Sequence, residues 1–351
     1  MSVATMEGAA PCPTCGEALM PGARFCEACG AATGVEPGAP AGGPAGPAPA
    51  CVRCGGEIDA DGYCTNCGHR AVEPVAVDDR GTYGYATHRG RRHHRNEDAA
   101  ALCTTGEGWT VLVAADGVSA SPNPHLAAQA AVATAAERLA DRPFGGAGDL
   151  DDAVALAHHA ASAVPAVGDP AWPDDGTHPA CTLVIVVAAA GVAHVANAGD
   201  ARAYVVRARD GGWAATQVST DDSVAAEAVA AGADPEEALN APAGHAITAW
   251  LGADAPGVVP HLATAPTAAG DLVLACSDGL WNYAATDAAL SDLLTAVLPP
   301  PDGPVGGLAG VCERLVSWAI EQGGADNIVV ALAPAGAATG EDHPIQREEE
   351  T

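Results

Sequence analysis

Residues 180–202 read ACTLVIVVAAAGVAHVANAGDAR, two apolar runs parted at Ala190-Gly191 and closed by Gly199-Asp200-Ala201-Arg202. Taken whole, the stretch is apolar enough to suggest a membrane span, but Thr182, Gly191, His194 and Asn197 interrupt it. Valine- and isoleucine-rich runs bounded by a glycine turn read as strands, so a hairpin of two buried strands is expected. The hairpin leaves Asp200 at a strand end. Four further acidic motifs sit the same way against short apolar runs. Asn96-Glu97-Asp98 precedes Ala99 to Cys103, Asp116-Gly117 follows Val111 to Ala115, Ser277-Asp278-Gly279 follows Leu272 to Cys276, and Asp326-Asn327 precedes Ile328 to Leu332. Carboxylates gathered at the edge of a β core repel one another in a medium of reduced dielectric. Such a group persists only when some members are protonated or cations lie between them. Hard oxygen ligands favour Mg²⁺ or Mn²⁺.

The chain has 351 residues, room for one large core and a small appended module, and its 48% hydrophobic content argues against wholesale disorder. It carries 44 acidic residues against 15 basic ones, a net charge of −29, and every one of those bases is Arg. Without lysine, a P-loop, a Schiff-base site and a protein-kinase site are excluded. The negative charge disfavours nucleic acid and anionic membrane as partners, leaving proteins and small molecules. Met1 to Cys12 contains Glu7 and neither a basic nor an apolar leader segment, so no secretion signal is read there and a cytoplasmic location is expected.

Eight of the 12 cysteines fall in four knuckles, Cys12-x-x-Cys15-Gly, Cys26-x-x-Cys29-Gly, Cys51-x-x-Cys54-Gly and Cys64-x-x-Cys67-Gly. A knuckle holds two thiolates roughly 3 to 4 Å apart around a turn, and two knuckles complete a tetrahedral four-thiolate site. The arrangement resembles a tandem pair of zinc ribbons at residues 1–32 and 51–70, implying two structural Zn²⁺ ions that serve folding, not catalysis. A disulfide framework is the competing reading, disfavoured without a secretion signal. Cys103, Cys181, Cys276 and Cys312 lie in or beside apolar runs and read as small core residues. Residues 33–50 are mostly Pro, Gly and Ala and read as a tether, residues 71–81 as a second linker, and residues 335–351 as a disordered acidic tail.

That leaves a compact domain at residues 82–334. Strand patterns fall at Tyr83 to His88, Asp98 to Cys103, Thr110 to Ala115, Cys181 to Ala189, Val192 to Asn197, Ala203 to Arg207, Val258 to Thr264, Asp271 to Cys276 and Asn327 to Ala333. Helical periodicity falls at Pro124 to Ala140, Leu150 to Ala163, Ser223 to Ala231, Thr286 to Leu298 and Gly306 to Gln322. Strands and helices come in blocks without strict alternation, which argues for an α+β sandwich of antiparallel sheets under helices and against a doubly wound nucleotide fold.

The domain resembles the metal-dependent protein phosphatases (PPM, protein phosphatase type 2C). The motifs that carry the resemblance occur in order: Gly90-x-x-His93-x-x-Asn96-Glu97-Asp98, Ala115-Asp116-Gly117, Cys181-Thr182-Leu183-Val184, Asn197-Ala198-Gly199-Asp200-Ala201-Arg202, Ile247-Thr248-Ala249-Trp250-Leu251-Gly252, Cys276-Ser277-Asp278-Gly279-Leu280-Trp281 and Gly324-Ala325-Asp326-Asn327-Ile328. The resemblance implies a four-layer α/β/β/α sandwich of two antiparallel sheets flanked by helices. It implies hydrolysis of phosphoserine and phosphothreonine on phosphoprotein substrates by water activated between two Mn²⁺ or Mg²⁺ ions. Carried over, Asp116 bridges the metals, Asp278 and Asp326 complete one, and Glu97 with the Gly117 carbonyl serves the other. Asp98 orients the water, and Asp200 with Asp278 either holds a weaker third ion or caps a turn. Arg202 is expected to be a structural partner of a neighbouring acid. Such chemistry suits a phosphomonoester dianion, because paired divalent ions neutralise phosphoryl charge and supply an oxygen nucleophile at neutral pH.

Three departures from the family pattern stand out. His93 occupies the place of an arginine that forks onto the substrate phosphate, and His93 itself with Arg92 and Arg95 of the surrounding basic run are the candidates for phosphate contact. After Asp116-Gly117 the chain continues Val118-Ser119-Ala120-Ser121-Pro122, which leaves the leaving-group acid unidentified, with water or His94 as candidates. Ala249 replaces a frequent arginine just beyond the flap region, Asp221 to His245. The alternative kept open is a catalytically weak or inactive phosphatase scaffold that binds phosphoproteins. A nucleic-acid role for the ribbons is disfavoured by their own acidic balance. Docking of a partner protein is the expected task of the ribbons.

Overall fold

A computed structural model of the chain describes residues 50–336 apart from 52, 60–62, 69–72, 141, 167–175, 190, 242, 256 and 302–306. The chain divides into two compact units, Met1–Pro74 and Val75–Thr351. The first knuckle pair, Cys12, Cys15, Cys26 and Cys29, the tether at 33–49 and the tail at 337–351 lie outside the described residues. In the smaller unit, Ala50 bridges to Glu57 and Ile58 to Cys64, both antiparallel, around a small core of Cys51, Ile58 and Cys64.

In the larger unit, the quoted stretch folds as the expected hairpin: β5 (Ala180–Cys181), β6 (Leu183–Ala189) and β7 (Val192–Ala198), with β6 and β7 paired antiparallel from Leu183 opposite Ala198. β6 and β7 join β3 (Ala99–Thr104), β4 (Thr110–Ala115) and β11 (His261–Pro266) in a five-stranded sheet of order β11-β7-β6-β4-β3. A second sheet runs β1-β2-β13-β12-β8-β9, built from β1 (Ala76–Asp79), β2 (Gly84–His88), β8 (Arg202–Arg209), β9 (Gly212–Gln217), β12 (Leu272–Cys276) and β13 (Ile328–Pro334). The short β10 (Leu251–Gly252) pairs with β5. Every strand pairing is antiparallel. Among the described residues, no helix is long and apolar enough to cross a membrane.

Period-2 alternation sorts the central strands into layers. On β4, Val111, Val113 and Ala115 face α1 (Pro124–Leu139) and α2 (Ala147–Ser162), whereas Leu112 and Ala114 face the other sheet. On β13, Ile328, Val330 and Leu332 face α6 (Asp287–Val297) and α7 (Leu308–Gln322), while Val329, Ala331 and Ala333 point inward between the sheets. The result is the four-layer α/β/β/α sandwich. Its inter-sheet layer is largely Ala and Val, so the two sheets meet through small side chains.

Three departures from the sequence expectations fall in the two large sheets. Residues 76–79, read as part of a linker, form β1 and pair with β2 from Ala76 opposite Thr87. The sequence Ala-Val-Asp-Asp is largely exposed there, and its strand character comes from the edge it pairs with. The second is β9, unrecognised in Gly-Trp-Ala-Ala-Thr-Gln, which is fixed by its hairpin with β8 and by Ser291 Oγ and Thr295 Oγ1 on α6, each accepting a bond from its backbone. Third, the strand expected at Val258 to Thr264 is displaced to His261–Pro266, leaving Val259 exposed.

Candidate functional site

All five acidic motifs sit at strand termini, and they come from both sheets. Glu97 and Asp98 lead into β3, Asp116 ends β4, Asp200 lies in the turn from β7 to β8, Asp278 opens the short helix α5 (Asp278–Trp281) after β12, and Asp326 leads into β13. Asp116, Asp200, Asp278 and Asp326 line a single cavity of about 370 Å³, together with Gly117, Ser119, Thr182, His245 and Ile247. A larger cleft, about 670 Å³, lies beside Trp213, Arg209 and Pro299 to Pro301, but gathers no cluster of acids. The acids gather at the smaller cavity.

Hydrogen bonds fix the frame. Thr182 N–H donates to the Asp116 carbonyl at 2.8 Å, and Asp116 N–H donates back to Thr182 Oγ1 at 3.2 Å. Buried Ser277 donates to Asp98 Oδ2 at 2.6 Å while accepting from Val329 N–H. Asn327 ties down the loop that carries the first motif: its amide donates to the Arg89 and Arg95 carbonyls, and its Oδ1 accepts from Glu97 N–H. Gly90 turns that loop with φ of +69°, and a Cβ there would run into the Asp326 carbonyl oxygen. Ser119, in the segment where the family pattern is broken, donates to Glu97 Oε2 at 2.6 Å.

The electrostatics follow from this crowding. Burial, reinforced by the charges of Asp278 and Asp326, holds Asp98 well above the usual carboxylate range against the pull of the Ser277 hydrogen bond. Burial and the surrounding acids do the same to Asp116 and Asp200. Burial and Asp326 raise Asp278 to about 6. Asp326 moves the other way: burial favours its neutral form, but His93 Nε2 at 3.1 Å and the Asn327 N–H hold it below the ordinary value. That hydrogen bond in turn raises His93, against burial. Asp116 is close enough to Asp98 and Asp278 to hydrogen-bond to them when protonated. As anions the three offer only acceptors, which leaves Asp98 Oδ1 and Asp278 Oδ1 buried without donors. Orphaned carboxylate oxygens in an all-oxygen cluster fit a divalent cation.

Of the expected phosphate-contact residues, none lines the cavity. His93 lies against Asp326, with Nδ1 4.0 Å from Glu97 Oε2. Arg95 Nη1 approaches His125 Nδ1 at 3.1 Å, and Arg92, exposed, acts on Asp326 through its charge. Arg202 is structural, as expected. It bonds Asp221 Oδ2 at 2.7 Å and the Ala285 carbonyl, and its guanidinium lies 3.6 Å from the Trp281 ring centroid. His245 went unrecognised as a site residue because it lies outside the periodic segments, and only the packing of Gly244 and Trp281 brings it to the cavity.

In the smaller unit, Cys51, Cys54, Cys64 and Cys67 present sulfurs within 4.8 Å of one another, unpaired by disulfides. The Gly56 backbone, then Cys67, Cys64 and Asn66, lower the Cys54 thiol to about 6, towards the thiolate a metal requires.

Residues 86–315 match the sequence profile of protein phosphatase 2C. The chain belongs to the protein phosphatase 2C family. It is 29% identical over 277 residues to the serine/threonine protein phosphatase PstP of Mycobacterium tuberculosis, covering 75% of this chain and 49% of PstP. It is 28% identical over 248 residues to the protein phosphatase PhpP of Streptococcus pneumoniae, covering 69% and 93%. The chain thus spans about half the length of the mycobacterial relative. Among solved structures it resembles the catalytic domain of PstP in complex with two manganese ions, with TM-score 0.54, 28% identity and coverage of 74% of this chain and 98% of that one. It also resembles the PPM phosphatase MsPP of Mycobacterium smegmatis in complex with cacodylate, with TM-score 0.56, 28% identity and coverage of 75% and 100%. The family's sandwich therefore accounts for the larger unit and leaves the cysteine unit as an addition.

Proposed function

We propose that the protein is a serine/threonine protein phosphatase that uses two Mn²⁺ or Mg²⁺ ions, held by Glu97, Asp116, the Gly117 carbonyl, Asp278 and Asp326. The pair of orphaned oxygens, Asp98 Oδ1 and Asp278 Oδ1, carries this reading, since buried acceptors without donors call for cations. When bound, the ions would neutralise phosphoryl charge and render water nucleophilic near neutral pH. Asp98, its carboxyl raised by burial and held in place by the Ser277 hydrogen bond, would accept a hydrogen bond from that water or hold its proton. Asp200, in the same cavity, supports a weaker third ion with Asp278 better than a purely turn-capping role. Ser119 orients Glu97, and Asn327 holds the loop on which Glu97 and Asp98 ride. Arg92 and His93 lie at the Asp326 side, where a phosphoprotein's charge would be met.

The smaller unit would hold one structural Zn²⁺ on Cys51, Cys54, Cys64 and Cys67, and the matching pair of knuckles implies another on Cys12, Cys15, Cys26 and Cys29. These ribbons would dock a partner protein in a cytoplasmic setting, where paired cysteines are expected to hold metal instead of forming disulfides.

The test is phosphate release from a phosphoserine peptide with and without Mn²⁺. Metal-dependent turnover is expected, reduced more than about 100-fold by Asp278→Asn. Wild-type protein that releases no phosphate at saturating Mn²⁺ sinks the reading. His93 tied to Asp326 instead of a free arginine fork favours the scaffold alternative. Calorimetric phosphopeptide binding without turnover would establish it.

A further inference from the structure

The described residues lining the acid cavity are carboxylates, small neutral residues and one imidazole, that of His245. His245 is exposed and stands on the open side of this cavity, whereas Asp200 of the same lining is buried. Its position is held at three points. The Gly244 carbonyl accepts from Ala225 N–H at 3.1 Å, the Ala246 carbonyl from Val224 N–H at 2.9 Å, and Ser223 bridges to Ile247, so the backbone on either side is pinned to the start of α3 (Val224–Ala230). Gly244 is buried against the end of α4 (Pro235–Leu239), where a Cβ would meet the Ala238 carbonyl oxygen at 2.5 Å and that of Leu239 at 2.6 Å. The imidazole stacks on Trp281, centroids 6.1 Å apart and planes within 18°. Trp281 is itself buried and fixed, its Nε1–H donating to the Asp200 carbonyl at 2.9 Å and its ring covered by Arg202. An exposed side chain rarely stands on so rigid a platform unless its direction matters.

We propose that His245 is the leaving-group acid of the phosphatase reaction. The inference rests on the hydrolase reading and adds the residue that the sequence left unidentified. A phosphomonoester drawn towards the carboxylates points its ester oxygen at the open side, where His245 stands. As the bond from that oxygen to phosphorus breaks and the oxygen of water bonds to phosphorus, the imidazolium gives its proton to the departing serine or threonine oxygen. The water loses one proton to solvent, and the neutral imidazole regains one from solvent. The products are the free hydroxyl and hydrogen phosphate, and the residue returns to its starting form.

A leaving-group comparison tests this on the full chain loaded with Mn²⁺. A p-nitrophenolate leaves without help, whereas a serine alkoxide needs a proton, and a positioned acid is worth about 10²-fold or more. For His245→Gln, kcat on a phosphoserine peptide should fall at least about 100-fold, with a loss on p-nitrophenyl phosphate at least tenfold smaller. Bound manganese per chain, by elemental analysis, should match wild type. His245→Ala should regain peptide hydrolysis when free imidazole is added, because the Trp281 platform remains. Equal losses on both substrates, no loss on either, missing manganese, or no rescue by imidazole overturns the assignment. Wild-type protein inactive on both substrates would overturn the hydrolase reading itself, and this inference with it.

Discussion

A consequence of the crowded acids is that the metal-free protein should be stabilised by deleting one of them. Asp278 has its carboxyl raised from 3.8 to about 6, burial and Asp326 being the causes. The folded protein therefore holds a proton on Asp278 that the unfolded chain releases earlier. Stability from this group is fully present below about pH 3.8 and is lost as pH rises through about 6. The gap of about two pH units is worth about 3 kcal/mol. That is a ceiling, because Asp278 faces water in the cavity. Asn at this position does not titrate, still accepts the bond that Asn282 Nδ2 makes to Asp278 Oδ2, and offers Asp116 an amide donor in place of a repelling charge. Denaturant titration in chelator should find Asp278→Asn more stable than wild type at pH 7.5, by 1 kcal/mol or more and up to about 3. The advantage should shrink steadily towards pH 5. Chelation strips zinc from both proteins alike, so the difference remains interpretable. Adding Mn²⁺ should remove most of the difference or reverse it, because ligand at 100 times its Kd stabilises the binding form by about 2.7 kcal/mol. A variant less stable than wild type in chelator at pH 7.5, or a difference independent of pH, would refute the reasoning.

Other perturbations separate the two units. Cys64→Ser removes one sulfur of the described cluster, and elemental analysis should find one zinc fewer per chain than wild type with manganese unchanged; equal zinc would exclude the cluster as a metal site. Arg202→Leu leaves Asp221, its side chain largely buried, without its cation, a loss of about 3 to 5 kcal/mol. Calorimetry should record a melting temperature lower by roughly 6 to 20 °C, and a shift under about 2 °C would show the pair to be dispensable. Asp326→Asn takes away the partner that raises His93, so the imidazole followed by NMR should titrate lower than in wild-type protein, both in chelator; an unchanged midpoint would place the cause elsewhere.

Where a segment's pattern depended on its own layer, the sequence could be read closely. β4 runs Thr110–Ala115 as expected, and α1 ends one residue before the expected boundary, because alternate faces of the one and a single face of the other are both buried. β1 and β9 were missed for a common reason: each is an edge strand whose pairing partner, not its composition, makes it a strand. The acids were readable because each abuts an apolar run. The partners that tune them were not, since Ser277, Asn327 and Ser119 act through bonds to residues 179, 230 and 22 positions away. His245 gave no signal at all, as it owes its place to a glycine-dependent backbone approach and a stacking surface from another part of the chain.

The same layer logic explains why one site can draw carboxylates from two sheets. Asp116 ends a strand of one sheet, while Asp278 and Asp326 flank adjacent strands of the other, and β12 and β13 pack across onto β4. The side chains between them are Ala114, Ala275 and Ala331 with Val273 and Val329, so the sheets approach closely and their strand ends reach a common edge. Larger residues there would separate the sheets and spread the acids, easing their repulsion while weakening any grip on a cation. The composition that looked merely bland in the sequence, rich in alanine and poor in aromatics, is thus what presses five acidic motifs into a space where they cannot all remain charged alone.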